Sequence, residues 1–70
     1  MNSRELRAQM IRQSKSPEQL WEALGISSSA WYRKVGGKSQ FTQGEIVVLR
    51  NELALDDQLT AIIFFNEQVS

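Results

Sequence analysis

The chain contains no cysteine and no histidine among its seventy residues, and only one proline. Without cysteine there is neither a disulfide staple nor a thiolate metal site. Without histidine the usual general base and the commonest metal ligand are missing. The longest apolar run, Ala61 to Phe65, is far too short to cross a bilayer. The opening MNSRELRAQM is charged and has no apolar stretch of the kind a secretory signal needs. No cofactor is implied, and the expectation is a soluble, cytoplasmic, single-domain protein over residues 1–70 with a modest core.

Net charge is absent too, at zero, but its distribution is uneven. Residues 1–40 carry seven basic side chains against three acidic ones, a net of +4, and residues 41–70 carry one against five, a net of −4. Such asymmetry suits a molecule that turns one surface to an anionic partner.

What is present is helix punctuation. A first helix is expected from about Ser3 to Gln13, capped by Asn2 or Ser3, with Leu6 and Met10 on one face. Ser16-Pro17-Glu18-Gln19 is a capping box with proline at the first helical position, which predicts a second helix over Pro17–Leu24. Gly25 stops it, since a left-handed residue costs glycine little. Ser27 then caps a third helix, Ser28–Val35, ended by Gly36 and Gly37. The run Ser27-Ser28-Ser29 is therefore a helix start and not a linker, because Ile26, Trp31 and Val35 flank it at helical spacing.

After a short loop from Lys38 to Phe41, Thr42 and Glu45 form another capping box. This predicts a fourth helix over about Gln43–Ala54, with Ile46, Val48, Leu49 and Leu53 inward. Asp56 caps a fifth, from Asp57 to about Glu67, whose core face is Leu59, Ile62 and Ile63. No stretch alternates with period two, so the fold class is all-α, five short helices.

Helices two and three, joined by about three residues with glycine at the turn, make a helix-turn-helix unit. The stretches S-P-E-Q-L-W-E-A-L-G-I-S, S-S-A-W-Y-R-K-V-G-G-K-S and F-T-Q-G-E-I, with the closing L-D-D-Q-L-T-A-I-I-F-F, resemble the lambda repressor/Cro-like helix-turn-helix domains of phages and bacteria. The resemblance covers nearly the whole chain. It implies a sequence-specific DNA-binding transcriptional regulator, a Cro-like phage or prophage repressor, that inserts helix three into the major groove of double-stranded operator DNA. It implies that Ser27, Ser28 and Ser29 approach base edges or phosphates and that Tyr32, Arg33 and Lys34 follow along the same helix. Lys38, Ser39, Gln40 and Thr42 would meet the phosphate backbone. The chemistry suits those roles: hydroxyls donate or accept, arginine grips guanine through two bonds, and helix-start amides favour phosphate.

Two positions depart from the family pattern. The family usually has a small residue, most often alanine, where this chain has Trp21, so Trp21 must swing outward, push the helices apart or pack on a partner. Members often carry a phosphate-contacting glutamine where this chain has Pro17, which offers no donor. These departures motivate an alternative, an antirepressor that binds a phage repressor protein and blocks its DNA-binding surface, with Trp21, Trp31 and Phe64 as candidate anchors, although Trp31 also matches the buried position of helix three. On a helical wheel Phe64 falls away from Leu59, Ile62 and Ile63, next to Ala61, which suggests a homodimer contact through helix five.

An enzyme is not expected. Gly36-Gly37-Lys38-Ser39 resembles the end of a phosphate-binding loop, but the glycine required five residues before Gly37 is Tyr32, and a helix precedes it instead of a strand. No Ser-x-x-Lys spacing occurs, and no histidine is present to activate a serine.

Overall fold

The computed structural model describes residues 1–65, which form five α-helices and no strand. They are α1 (Ser3–Arg12), α2 (Pro17–Leu24), α3 (Ser28–Val35), α4 (Gln43–Glu52) and α5 (Asp57–Phe64). No helix among the described residues is long and apolar enough to cross a membrane. The expected continuation of α5 to Glu67 lies outside the described residues.

Every helix starts on a side chain that satisfies its own first turn. Asn2 Oδ1 accepts from the Glu5 amide at 3.0 Å, Ser27 Oγ from Ala30 at 3.1 Å and Asp56 Oδ1 from Leu59 at 2.7 Å. Both predicted capping boxes form. Ser16 Oγ accepts from the Gln19 amide while the Ser16 amide donates to Gln19 Oε1, and Thr42 and Glu45 are paired in the same way.

The first four helices end alike. Ser14, Gly25, Gly37 and Ala54 take left-handed backbone, with φ of 56°, 70°, 87° and 51°. In each case the next amide reaches back five residues: Lys15 to the Met10 carbonyl, Ile26 to Trp21, Lys38 to Arg33 and Leu55 to Arg50, at 2.8–3.0 Å. This closure satisfies carbonyls that the helix end would otherwise orphan. It also corrects two expected boundaries. α1 ends at Arg12 and not Gln13, and α4 ends at Glu52 and not Ala54, because Ser14 and Ala54 accept a conformation usually left to glycine or asparagine.

The core draws on every element: Leu6 and Met10 from α1, Leu20 from α2, Trp31 from α3, Leu49 and Leu53 from α4 and Ile63 from α5. Two residues outside the helices, Phe41 and Leu55, are buried with them. Burying each large apolar side chain contributes about 1.5–3 kcal/mol, so a core this small leaves little redundancy. The Asn2 amide donates to the Ile63 carbonyl at 2.8 Å, which ties the start of α1 to α5.

The wheel argument for Phe64 needs correction. Phe64 is half-buried and packs on the core, its ring meeting Phe41 edge to face with centroids 5.8 Å apart. Phe41 in turn meets Trp31 edge to face at 5.6 Å. A helical wheel cannot foresee this, because the partner comes from the loop before α4. The next residue, Phe65, is the one that stays 55% exposed.

Candidate nucleic-acid interface

α2 and α3 are joined by Gly25, Ile26 and Ser27. The left-handed Gly25 reverses the chain, and Ile26 stands just before the cap of α3, with Trp31 at the fourth helical position. These are the two positions of a hydrophobic staple, which sets the angle at which a chain enters a helix. Trp31 is buried and Ile26 packs against the same core. The inner face of α3 is thereby fixed, and its outer face follows from helical geometry.

That outer face carries Ser28, Ser29, Tyr32 and Arg33, all exposed. The Ser28, Ser29 and Arg33 side chains make no hydrogen bond or ion pair with any described residue. Ser27 differs, since its hydroxyl is occupied with the Ala30 amide. Tyr32 is 58% exposed, and its ring meets Trp21 of α2 edge to face, centroids 6.0 Å apart. Trp21 itself is half-buried against the core. It thus packs on the core on one side and on the Tyr32 ring on the other.

Lys34 does not join this surface. Its Nζ donates to Glu45 Oε1 at 2.9 Å and to the Gln40 carbonyl at 3.2 Å, and stands 5.7 Å from the centre of the Phe41 ring. Both side chains of the ion pair are mostly buried, 15% exposed for Lys34 and 16% for Glu45. Lys34 is therefore a strut between α3 and the cap of α4, and its ammonium is already partnered. Glu45 responds to this setting. Burial pushes its carboxyl pKa up, but hydrogen bonds from Lys34 and the Thr42 amide, together with the Lys34 charge, outweigh burial and hold it below the usual value.

The remaining expected contacts separate. Lys38 is exposed just beyond α3. Ser39 and Gln40 line a cleft of about 470 Å³ shared with Phe64 and Phe65, and the Thr42 hydroxyl caps α4. Ala61 is half-buried on α5. A second cleft, about 250 Å³, lies among α1, the start of α2 and α3 and is lined by Arg7, Pro17, Tyr32 and Val35 among others.

Charge is sorted as well. Lys15, Lys34 and Arg50 pair with Glu52, Glu45 and Asp57. Arg4, Arg7, Arg12, Arg33 and Lys38 have no acidic partner among the described residues. The free cations thus all lie in α1, α3 and the turn after α3. Phe41 and Glu45 were not among the expected site residues, yet they shape the segment that carries Lys38 to Gln40. The signal for Phe41 was its place before the Thr42 cap, with Ile46 at the fourth helical position of α4, a second staple. Comparison with protein-family models, curated proteins and solved structures finds no match to this chain.

Proposed function

We propose that this chain is a sequence-specific DNA-binding transcriptional regulator of the lambda repressor/Cro-like kind, acting in the cytoplasm. In this reading α2 and α3 are a helix-turn-helix unit, and α3 enters the major groove of an operator. The observation that carries the reading is the uncommitted outer face of α3, where Ser28, Ser29 and Arg33 are exposed and bonded to nothing described. The major groove is about 12 Å wide and admits one helix. Hydroxyls at its start reach base edges or phosphates, and the Arg33 guanidinium matches the two acceptors of guanine. Lys38 supplies a backbone contact beyond the helix. Occupying the operator denies it to polymerase or to a competing repressor. No step needs a cofactor or a catalytic group.

The test is a titration of labelled duplex DNA, first at low salt and then at rising salt. Wild-type protein is expected to bind with a steep inverse dependence on salt. Arg33→Ala should bind more weakly and with relaxed sequence preference. Equal, weak and sequence-indifferent binding by both proteins would end the reading.

The Trp21–Tyr32 pair favours a second reading, an antirepressor that docks on a phage repressor protein, since aromatic residues anchor protein interfaces. Here Trp21→Ala should abolish co-elution with the cognate repressor. Self-association through α5 belongs to either reading, with Ala61 as its contact.

A further inference from the structure

We infer that α1 supplies part of the DNA-backbone contact through Arg7, so that one strand of the duplex lies over the cleft that α1 and α3 form with Pro17. The inference rests on the DNA-binding reading above and gives it a direction. Arg7 is exposed, has no acidic partner among the described residues, and lines the same cleft as Tyr32 and Pro17. Tyr32 belongs to the outer face of α3, so the cleft that Arg7 lines borders that face. Arg4, one turn earlier on α1, is exposed and equally unpaired. Pro17, the α2 residue that lines this cleft, has neither an N–H nor a side-chain donor, and Glu18 and Glu22 further along α2 are exposed without a cationic partner among the described residues. A phosphodiester strand over this cleft therefore finds its cation on α1 and none on α2. Its acceptors match the fork of an arginine on a helix whose position is held by Leu6 and Met10 in the core.

The experiment uses a duplex selected from a random-sequence pool with the full wild-type chain, alongside an unselected duplex. Binding is measured for wild type, Arg7→Ala, Arg7→Lys and Arg12→Ala from about 50 to 200 mM salt. Arg12 is the control, a free cation on α1 that does not line the cleft. Arg7→Ala should weaken both duplexes by the same factor and reduce the slope of log affinity against log salt by about one. Arg7→Lys should keep the slope, and Arg12→Ala should match wild type. Circular dichroism of each variant confirms the helical fold. An unchanged slope in Arg7→Ala, or an equal loss in Arg12→Ala, overturns the assignment of Arg7 and leaves the α3 reading standing. Failure of wild type to bind either duplex overturns the α3 reading and the Arg7 assignment together.

Discussion

The Lys34 ammonium lies 2.9 Å from Glu45 Oε1, joining the last turn of α3 to the first turn of α4 across eleven residues of sequence. Because the folded carboxyl sits below its ordinary value, the pair stabilises the fold above the unfolded glutamate pKa of about 4.3. That contribution fades as pH falls through the folded pKa. Glu45→Gln keeps the capping box but not the charge. It should cost about 1 kcal/mol near neutral pH and nothing once wild-type Glu45 is protonated. Urea titrations at about pH 7 and about pH 3 check this. Parallel losses in the two proteins would show that the pair is energetically silent.

Ala54 closes α4 at φ 51°, a conformation that costs a non-glycine residue roughly 1–2 kcal/mol. Glycine relieves that strain while adding freedom to the unfolded chain. Ala54→Gly should therefore stabilise the domain by about 0.5–1 kcal/mol and raise its melting midpoint by about 4 °C. Gly25→Ala should move the midpoint the other way, since Gly25 sits at φ 70° with open space around it and only backbone strain opposes a side chain.

Phe41 is a loop residue that is only 8% exposed and stands between Trp31 and Phe64. Phe41→Ala should cost about 3–5 kcal/mol, close to the whole stability of a domain this small. The expected result is a chain with little helical circular dichroism at room temperature, while Phe41→Leu stays folded. A folded Phe41→Ala protein with an unchanged melt would show that the aromatic column is dispensable.

Trp21 is half-buried, so Trp21→Ala should cost less than a core tryptophan, about 1–2 kcal/mol. The edge contact to Tyr32 accounts for about 0.5–1.5 kcal/mol of this. A double-mutant cycle with Tyr32→Ala separates that share from simple burial, and additive losses would mean that the rings do not couple.

Local chemistry explains why α2 and α3 were legible to the residue. A capping box, Pro17 at the first position, Gly25 at the turn and the Ser27 cap are all written within a few neighbours. The ends of α1 and α4 were less legible because Ser14 and Ala54 adopt a conformation that sequence rules reserve for glycine or asparagine. The roles of Lys34 and Phe64 were not legible, since each depends on a partner from another element, Glu45 and Phe41. Ser28, Ser29, Tyr32 and Arg33 were found together on α3 because they share one helix, whereas the relation of Arg7 to Tyr32 exists only after α1 packs.

The free side chains of Ser28, Ser29 and Arg33 have an evolutionary consequence. They contribute almost nothing to folding, so substitutions there should shift stability by no more than about 0.5 kcal/mol. On the DNA-binding proposal, exchanging those letters would retarget the same scaffold without first weakening the fold. Trp31, buried behind that face, has no such latitude, because a change there reaches the core.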